Sequence, residues 1–235
     1  PVTTMIRERA GNTALLGVSA LTLATLIGIP LGVFTGSRAH GPLVSAARGA
    51  SALLLAVPPL ITSLVLLLVA VRTGWLPAGG LPDTSAAGGP LAAVAITARH
   101  LVLPALALAL PIAASLERLQ SGAMREALDD PSILAARARG IPPRRIIWTH
   151  AWRLSLKPVV AIYGIIVGSV LSGSFAVEIV TVWPGLGDLT YQALRSRDLY
   201  LVAGCAATGA GFLAAGIFAS DLALAAVDPR IEERA

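Results

Sequence analysis

The chain has 235 residues, 55% of them hydrophobic and only 13% charged, with a mean hydropathy of +0.77. A soluble domain carries about 25% charged residues, so this composition excludes disorder, a collagen-like repeat and a disulfide scaffold, and it leaves too little polar surface for an ordinary soluble enzyme. The formal net charge is +5, from 18 Lys+Arg against 13 Asp+Glu, which alone admits either a nucleic acid or a membrane surface as partner.

Read as a membrane protein, the length suits roughly five or six helices at about 20 apolar residues per span. The first predicted span covers about 13–34, inside a charge-free segment, and the second about 50–71, again without charge. The third, about 101–120, follows Arg99 and His100 and ends with Glu117 and Arg118 near an interface. The fourth runs over about 158–177 and the fifth over about 199–220, just before Asp221. Pro30, Pro58, Pro59, Pro104 and Pro111 are expected to kink their helices, which membranes tolerate when neighbouring helices satisfy the freed carbonyls. Gly164, Gly168, Gly173, Gly204, Gly209, Gly211 and Gly216 are small residues that let helices approach closely. The expected fold is all-α, a polytopic transmembrane bundle. Cys205 is the single cysteine, and His40, His100 and His150 are widely spaced, so neither an intrachain disulfide nor a metal motif is expected.

Loop charge sets the orientation. Segments 35–49, 117–157 and 221–235 hold 12 of the 18 basic residues, and segments 1–12, 72–100 and 178–198 hold the other six. The positive-inside tendency assigns the first set, with the C-terminus, to the cytoplasm. A five-span chain then starts outside, and a sixth helix upstream of Pro1 is expected. The 117–157 loop has no aromatic-interleaved pattern, so no nucleic-acid partner is expected.

The segment 124–157 is too patterned for a mere connector. Asp130 is an N-cap before Pro131 at the first helical position. Residues 132–139 read as a short helix, with Arg137 and Arg139 complementing its dipole and Gly140 stopping it. Pro142 and Pro143 reset the chain. An amphipathic helix over about 144–156 follows, with Ile147, Ala151 and Leu154 on one face and Arg144, Arg145 and Arg153 toward headgroups or cytosol. Ala135, Ala136 and Ala138 present a small surface that a groove can accept. An interfacial hairpin that only caps the bundle explains the spacing equally well.

Several motifs carry a resemblance. The run from Glu126 to Gly140, with Leu134-Ala135-Ala136 and then Gly140, resembles the cytoplasmic loop of bacterial ABC-importer permeases. Ala136-Arg137-Ala138-Arg139-Gly140-Ile141, with His150-Ala151-Trp152-Arg153 and Pro158, resembles the dipeptide/oligopeptide/nickel branch. Glu178 with Trp183-Pro184-Gly185-Leu186-Gly187 and Arg197-Asp198 is similar to that branch's external segment. Asp228-Pro229-Arg230-Ile231 is similar to its ending, and Asn12-Thr13 with Gly28-Ile29-Pro30-Leu31-Gly32 to its start. The departures are Leu134 where the general pattern has Glu, Thr181 where the branch has Phe, and Asp130-Pro131-Ser132 in place of an Asp-Tyr pair.

The resemblance implies a permease for short peptides in the bacterial inner membrane, with nickel or another small solute as the variant. It implies a second homologous permease, a different chain, as partner. Two ATP-binding cassette subunits on the cytoplasmic side and an extracellular solute-binding protein complete the assembly. It implies docking of the ATPase on the coupling helix, through Asp130, Ser132, Leu134, Ala135, Ala136, Arg137, Ala138, Arg139 and Gly140. No Gly-x-x-x-x-Gly-Lys-[Ser/Thr] loop occurs, so the chain is expected to be no enzyme and to hold no cofactor, with ATP and Mg bound by the partners. Candidates for the translocation path or external gate are Tyr163, Ser172, Ser174, Glu178, Trp183, Pro184 and Gly185. Glu178 could meet a peptide's amino terminus or cap a helix, and the serines could serve helix–helix hydrogen bonds. A secondary transporter or channel is the competing class, but intramembrane charges that would couple protons or sodium are scarce. An intramembrane hydrolase would need a base near Ser172 or Ser174, and no histidine lies in an apolar span.

Overall fold

The computed structural model describes residues 2–38, 40–82 and 89–227. The expected C-terminal motif Asp228–Ile231 lies outside the described residues. Among those described, the secondary structure is helical throughout: α1 (Val2–Gly36), α2 (Pro42–Ala56), α3 (Pro59–Thr73), α4 (Pro90–Leu128), α5 (Pro131–Ala138), α6 (Pro143–Arg145), a π turn (Ile146–Ala151), α7 (Trp152–Ala161), α8 (Tyr163–Val180), α9 (Leu186–Ser196) and α10 (Leu199–Val227). Four of these, α1, α4, α8 and α10, are long and apolar enough to cross a membrane, and α2 with α3 adds a fifth if the broken pair counts as one span.

That pair corrects the expected second span. Residues 50–71 do not form one kinked helix. The helix ends at Ala56 and restarts at Pro59. Pro58 sits in an extended conformation (φ −59°, ψ 149°). The two prolines remove two successive backbone donors, and proline disfavours helix in the residue before it. The fourth span is also displaced. Helix α7 carries Pro158 and stops at Ala161, Ile162 breaks the run, and the apolar helix is α8 from Tyr163. The third stretch is the reverse case, because Arg99 and His100 do not stop it. Helix α4 has 39 residues, about 58 Å at 1.5 Å per residue, nearly twice a hydrocarbon core.

The chain divides into two compact units. The first unit is built from residues 2–23, 57–82, 89–110 and 167–215. Its core joins Leu16, Ala20, Ala105, Leu108, Val177 and Trp183, and a second cluster joins Leu186, Leu189, Ala193, Leu201 and Cys205. The second unit is built from residues 24–38, 40–56, 111–166 and 216–227. Its core joins Val33, Met124, Ala127, Ile133, Ile146 and Ala151.

A close helix contact organises the second unit. Gly28, Gly32 and Gly36 recur every fourth residue of α1, so they share one face. A Cβ on Gly32 would lie 2.6 Å from Gln120 Cβ and 2.8 Å from the Glu117 carbonyl, and a Cβ on Gly36 2.7 Å from the Ser121 carbonyl. The three glycines therefore let α1 lie against the backbone of α4, the small-residue device of membrane helix pairs.

Candidate functional site

The expected coupling segment folds as its residues dictate. Asp130 caps α5: its carboxylate accepts the Ser132 N–H at 2.8 Å and the Ser132 hydroxyl at 2.5 Å, with Pro131 first in the helix. These bonds hold its pKa below the ordinary 3.8, the hydroxyl contributing most. At the other end the N–H of Ile141 bonds the Ala136 carbonyl at 3.3 Å and that of Gly140 the Arg137 carbonyl at 2.9 Å. Gly140 has φ +75°. This is the paired-bond stop of a Schellman motif, where the left-handed residue favours glycine.

Helix α5 is fastened by one face. Ile133 and Ala136, three apart, are both 2% exposed and turn into the core of the second unit. Ser132, Leu134, Ala135, Arg137, Ala138 and Arg139 are exposed. This corrects the expected alanine surface. Ala135 and Ala138 face outward, whereas Ala136 is turned inward because it shares the apolar stripe with Ile133. Arg137 also borders a cavity of about 370 Å³ with Ser37, Leu128, Ile141, Pro143, Ile146 and Ile147. The following amphipathic run buries Ile146 and Ala151, five residues apart, across its π turn. The wider turn shifts the buried register from the expected Ile147 to Ile146, and Ile147 and Leu154 pack at its margin.

The residues Glu178 to Leu186 meet in the first unit, at the junction of α8 and α9. Glu178 is fully buried. Its Oε1 accepts from the Thr13 hydroxyl at 2.8 Å, and its Oε2 accepts the N–H of Gly187 at 2.6 Å and of Asp188 at 3.4 Å. The Thr13 oxygen in turn accepts the N–H of Leu186 at 2.7 Å. The first three N–H groups of α9, which no helix can satisfy itself, are thereby paired, and a carboxylate sits at the positive end of a helix dipole. Gly185 makes room for this, since a Cβ there would overlap the Glu178 carboxylate. Trp183 is 1% exposed and donates its ring N–H to the Asn12 carbonyl at 3.1 Å, while the Asn12 amide donates to the Pro184 carbonyl at 2.8 Å. Of the two readings that the sequence leaves for Glu178, this geometry is that of a helix cap, and the helix it caps is the next one. Trp183 is a core residue of the same junction. Asp198 repeats the device, accepting the N–H of Leu201 at 3.0 Å to cap α10.

The remaining path candidates are dispersed. Tyr163 lies in the second unit with its hydroxyl against Thr25. Ser174 is buried and donates to the Leu171 carbonyl one turn back, at 2.9 Å. Ser172 is exposed. Sequence reasoning missed the polar layer beside the glycine stripe. Glu117, expected near an interface, is 2% exposed and bonded to the Thr35 hydroxyl, and the Gln120 amide donates to Ser155 at 2.8 Å. The four-residue spacing of Gly28, Gly32 and Gly36 is the signal that would have pointed to it.

Residues 28–233 match the family described as "Binding-protein-dependent transport system inner membrane component". The chain belongs to this family. It is 33% identical over 233 residues to the oligopeptide transport system permease protein AppB of Bacillus subtilis, covering 99% of this chain and 72% of that one. It is 33% identical over 218 residues to the dipeptide transport system permease protein DppB of the same organism, covering 92% and 66%. It is 31% identical over 219 residues to the oligopeptide transport system permease protein OppB of Salmonella typhimurium, covering 93% and 68%. A solved structure of the MetNI methionine ABC transporter in inward-facing conformations superposes with a TM-score of 0.76 over 97% of this chain and 98% of that one, at 19% identity. That likeness fixes the all-α fold, and the family and its relatives make the chain a multi-pass membrane permease of the ABC-importer type.

Proposed function

We propose that this chain is the permease through which an ATP-driven importer passes short peptides, and that α5 is the element its ATPase subunit grips. The carrying observation is the two-sidedness of α5: Ile133 and Ala136 fasten it, while Leu134, Ala135 and Ala138 are exposed together with Arg137 and Arg139. A capped helix stopped by a Schellman turn moves as a rigid piece, so a partner that displaces it displaces the second unit's core with it. The spans then switch between two states biased by ATP in the partner. Peptide as the cargo is supported by the names of the relatives matched along nearly the whole chain. Loop charge supports a cytoplasmic α5 and C-terminus. The assembly would comprise a second, different permease, two ATP-binding cassette subunits that hold ATP and Mg, and an external binding protein. Among the path candidates Ser172, on α8, is exposed, and Tyr163 and Pro184 are half-buried.

Copurification tests this reading. Ala135→Arg and Ala138→Arg place a charge on the outward face, and each is expected to lose the ATPase subunit and peptide uptake with an unchanged melting temperature. Ala136→Arg buries a charge and is expected to lower the melting temperature itself. Normal ATPase retention and uptake in both outward variants would sink the docking role.

A further inference from the structure

The second unit contains a cavity of about 300 Å³ that neither the α5 surface nor the α8–α9 junction uses. One wall is a single face of α2, where Arg48, Ser51, Ala52 and Leu55 recur at helical spacing. The facing wall is α4, with Arg118 and Arg125 seven residues apart and Ser121 between them. Three arginines against Glu117 leave the lining with two net positive charges. The acid is already engaged by Thr35 inside the unit. Ser51 is 5% and Ser121 1% exposed, so the cavity has buried hydroxyl groups at its base.

The arginines differ in what holds them. Arg48 donates one terminal nitrogen to the Thr35 carbonyl at 2.7 Å and to the Arg38 carbonyl at 3.3 Å. Its Nε is buried without a partner. A buried guanidinium N–H without an acceptor costs free energy, and an anionic oxygen in the cavity would supply one. Arg125 donates to the Ser121 hydroxyl at 2.9 Å, and both Arg118 and Arg125 are exposed, free to close over a ligand. Arginine pairs well with phosphate because its planar fork matches two oxygens.

The position along the chain indicates where such a phosphate comes from. Residues 101–116 of α4 carry no charge, and Glu117 follows directly. A helix about 58 Å long overruns a 30 Å hydrocarbon core, which puts 117–125 at headgroup level. Exposed Leu53 and half-exposed Leu55 on α2 give an acyl chain an apolar surface to lie along. Basic clefts between spans at this depth suit anionic lipid headgroups.

We propose that the Arg48–Arg118–Arg125 cavity binds an anionic phosphate group, that of a lipid such as phosphatidylglycerol. The inference requires only that the chain spans a membrane, and not that its cargo is a peptide or that α5 docks an ATPase. The test uses the full-length chain in the complex with which it purifies, stripped of lipid. The complex is titrated separately with short-chain phosphatidylglycerol, short-chain phosphatidylcholine and inorganic phosphate, and adducts are read by native mass spectrometry. Phosphatidylglycerol is expected to be retained over phosphatidylcholine. Each arginine lost should weaken retention about fivefold, so Arg118→Gln with Arg125→Gln should weaken it about 25-fold. The double lysine variant at the same positions should keep most of it. Both side chains are exposed, so folding should survive, and the melting temperature without lipid checks this. If inorganic phosphate alone shows the same arginine dependence, the site stands and its source is a free anion. Undiminished phosphatidylglycerol retention in the double glutamine variant would overturn the proposal. So would an equal loss in Arg153→Gln, which removes an exposed charge outside the cavity. Loss of the ATPase subunit with lipid retention unchanged would also overturn it, and assign the arginines to a protein partner.

Discussion

The Glu178 carboxylate at the end of α8 accepts the Gly187 N–H at 2.6 Å, so one helix caps the start of the next. Burial makes this cap strong, because the three leading N–H groups of α9 have no water to turn to. Glu178→Ala is expected to destabilise the protein by about 3 kcal/mol, the scale of charged hydrogen bonds lost in a buried site. Gly185→Ala should act in the same direction through collision with the same carboxylate. By contrast, Asp188→Asn removes the partly exposed pair with Arg9, 3.3 Å long, keeps a carbonyl oxygen for the Gln192 amide that donates to it at 2.8 Å, and should cost under about 1 kcal/mol. Thermal unfolding of the purified complex ranks the three. An Asp188 effect as large as that of Glu178 would show that the ion pair, not the cap, holds the junction.

The glycine stripe makes an independent prediction. Gly32→Ala drives a methyl group into Gln120 and the Glu117 carbonyl and should cost about 1–3 kcal/mol, the range for overpacking. A Cβ on Gly122, inside α4, meets nothing within 4 Å. Gly122→Ala should therefore stabilise the protein by about 0.5–1 kcal/mol through helix propensity alone. Melting temperatures that move in opposite directions for the two variants are the expected result. Equal shifts would mean that α1 does not lie against α4 as described.

The short-range features were legible because their causes are local. The Asp130 cap, Pro131 at the first turn and the Gly140 stop depend on neighbours within a few residues, and the sequence prints them side by side. The Pro58–Pro59 break was legible as a kink, but its extent was not, since apolar composition through 50–71 hides where a helix must restart. The inward turn of Ala136 follows a three-residue spacing from Ile133 that only a known core can orient. Glu178 could not be assigned from sequence, because the groups that consume its oxygens lie 165 residues before it and nine and ten residues after it. Resemblance located that junction without saying what its carboxylate does.

Acid should loosen α5 from its N-terminus. Hydrogen bonds from Ser132 hold the Asp130 pKa below 3.8 in the folded chain. A group with a depressed folded-state pKa contributes stability above its unfolded value and loses it as the pH falls through the folded value. Between pH 7 and about 4 the cap is therefore expected to be intact, and amide protection at Ser132 and Ile133, taken relative to the intrinsic exchange rate at each pH, should fall only below that window. Asp130→Asn, which keeps a capping oxygen without the charge, should remove the acid dependence while leaving α5 formed. Acid-induced loss of protection that persists in Asp130→Asn would place the titrating group elsewhere.

The turn that follows α8 carries strain that can be relieved. Val182 has φ +52°, its N–H approaches the Ile179 carbonyl at 3.4 Å, and the Trp183 N–H bonds the Glu178 carbonyl at 2.9 Å. Val182 thus occupies the left-handed position of a Schellman turn, a place that a β-branched residue rarely takes. Its side chain is 63% exposed and gives little packing in return. The left-handed conformation costs an L-residue about 1–2 kcal/mol, and glycine's extra backbone entropy gives back about 0.5–1 kcal/mol. Val182→Gly should accordingly raise stability by about 0.5–1 kcal/mol, and Val182→Asn, which tolerates the same conformation without that entropy, should raise it too. The measurement is the melting temperature of the purified complex for both variants. If neither rises, the turn holds Val182 without strain, and the conformation of the α8–α9 junction needs another explanation.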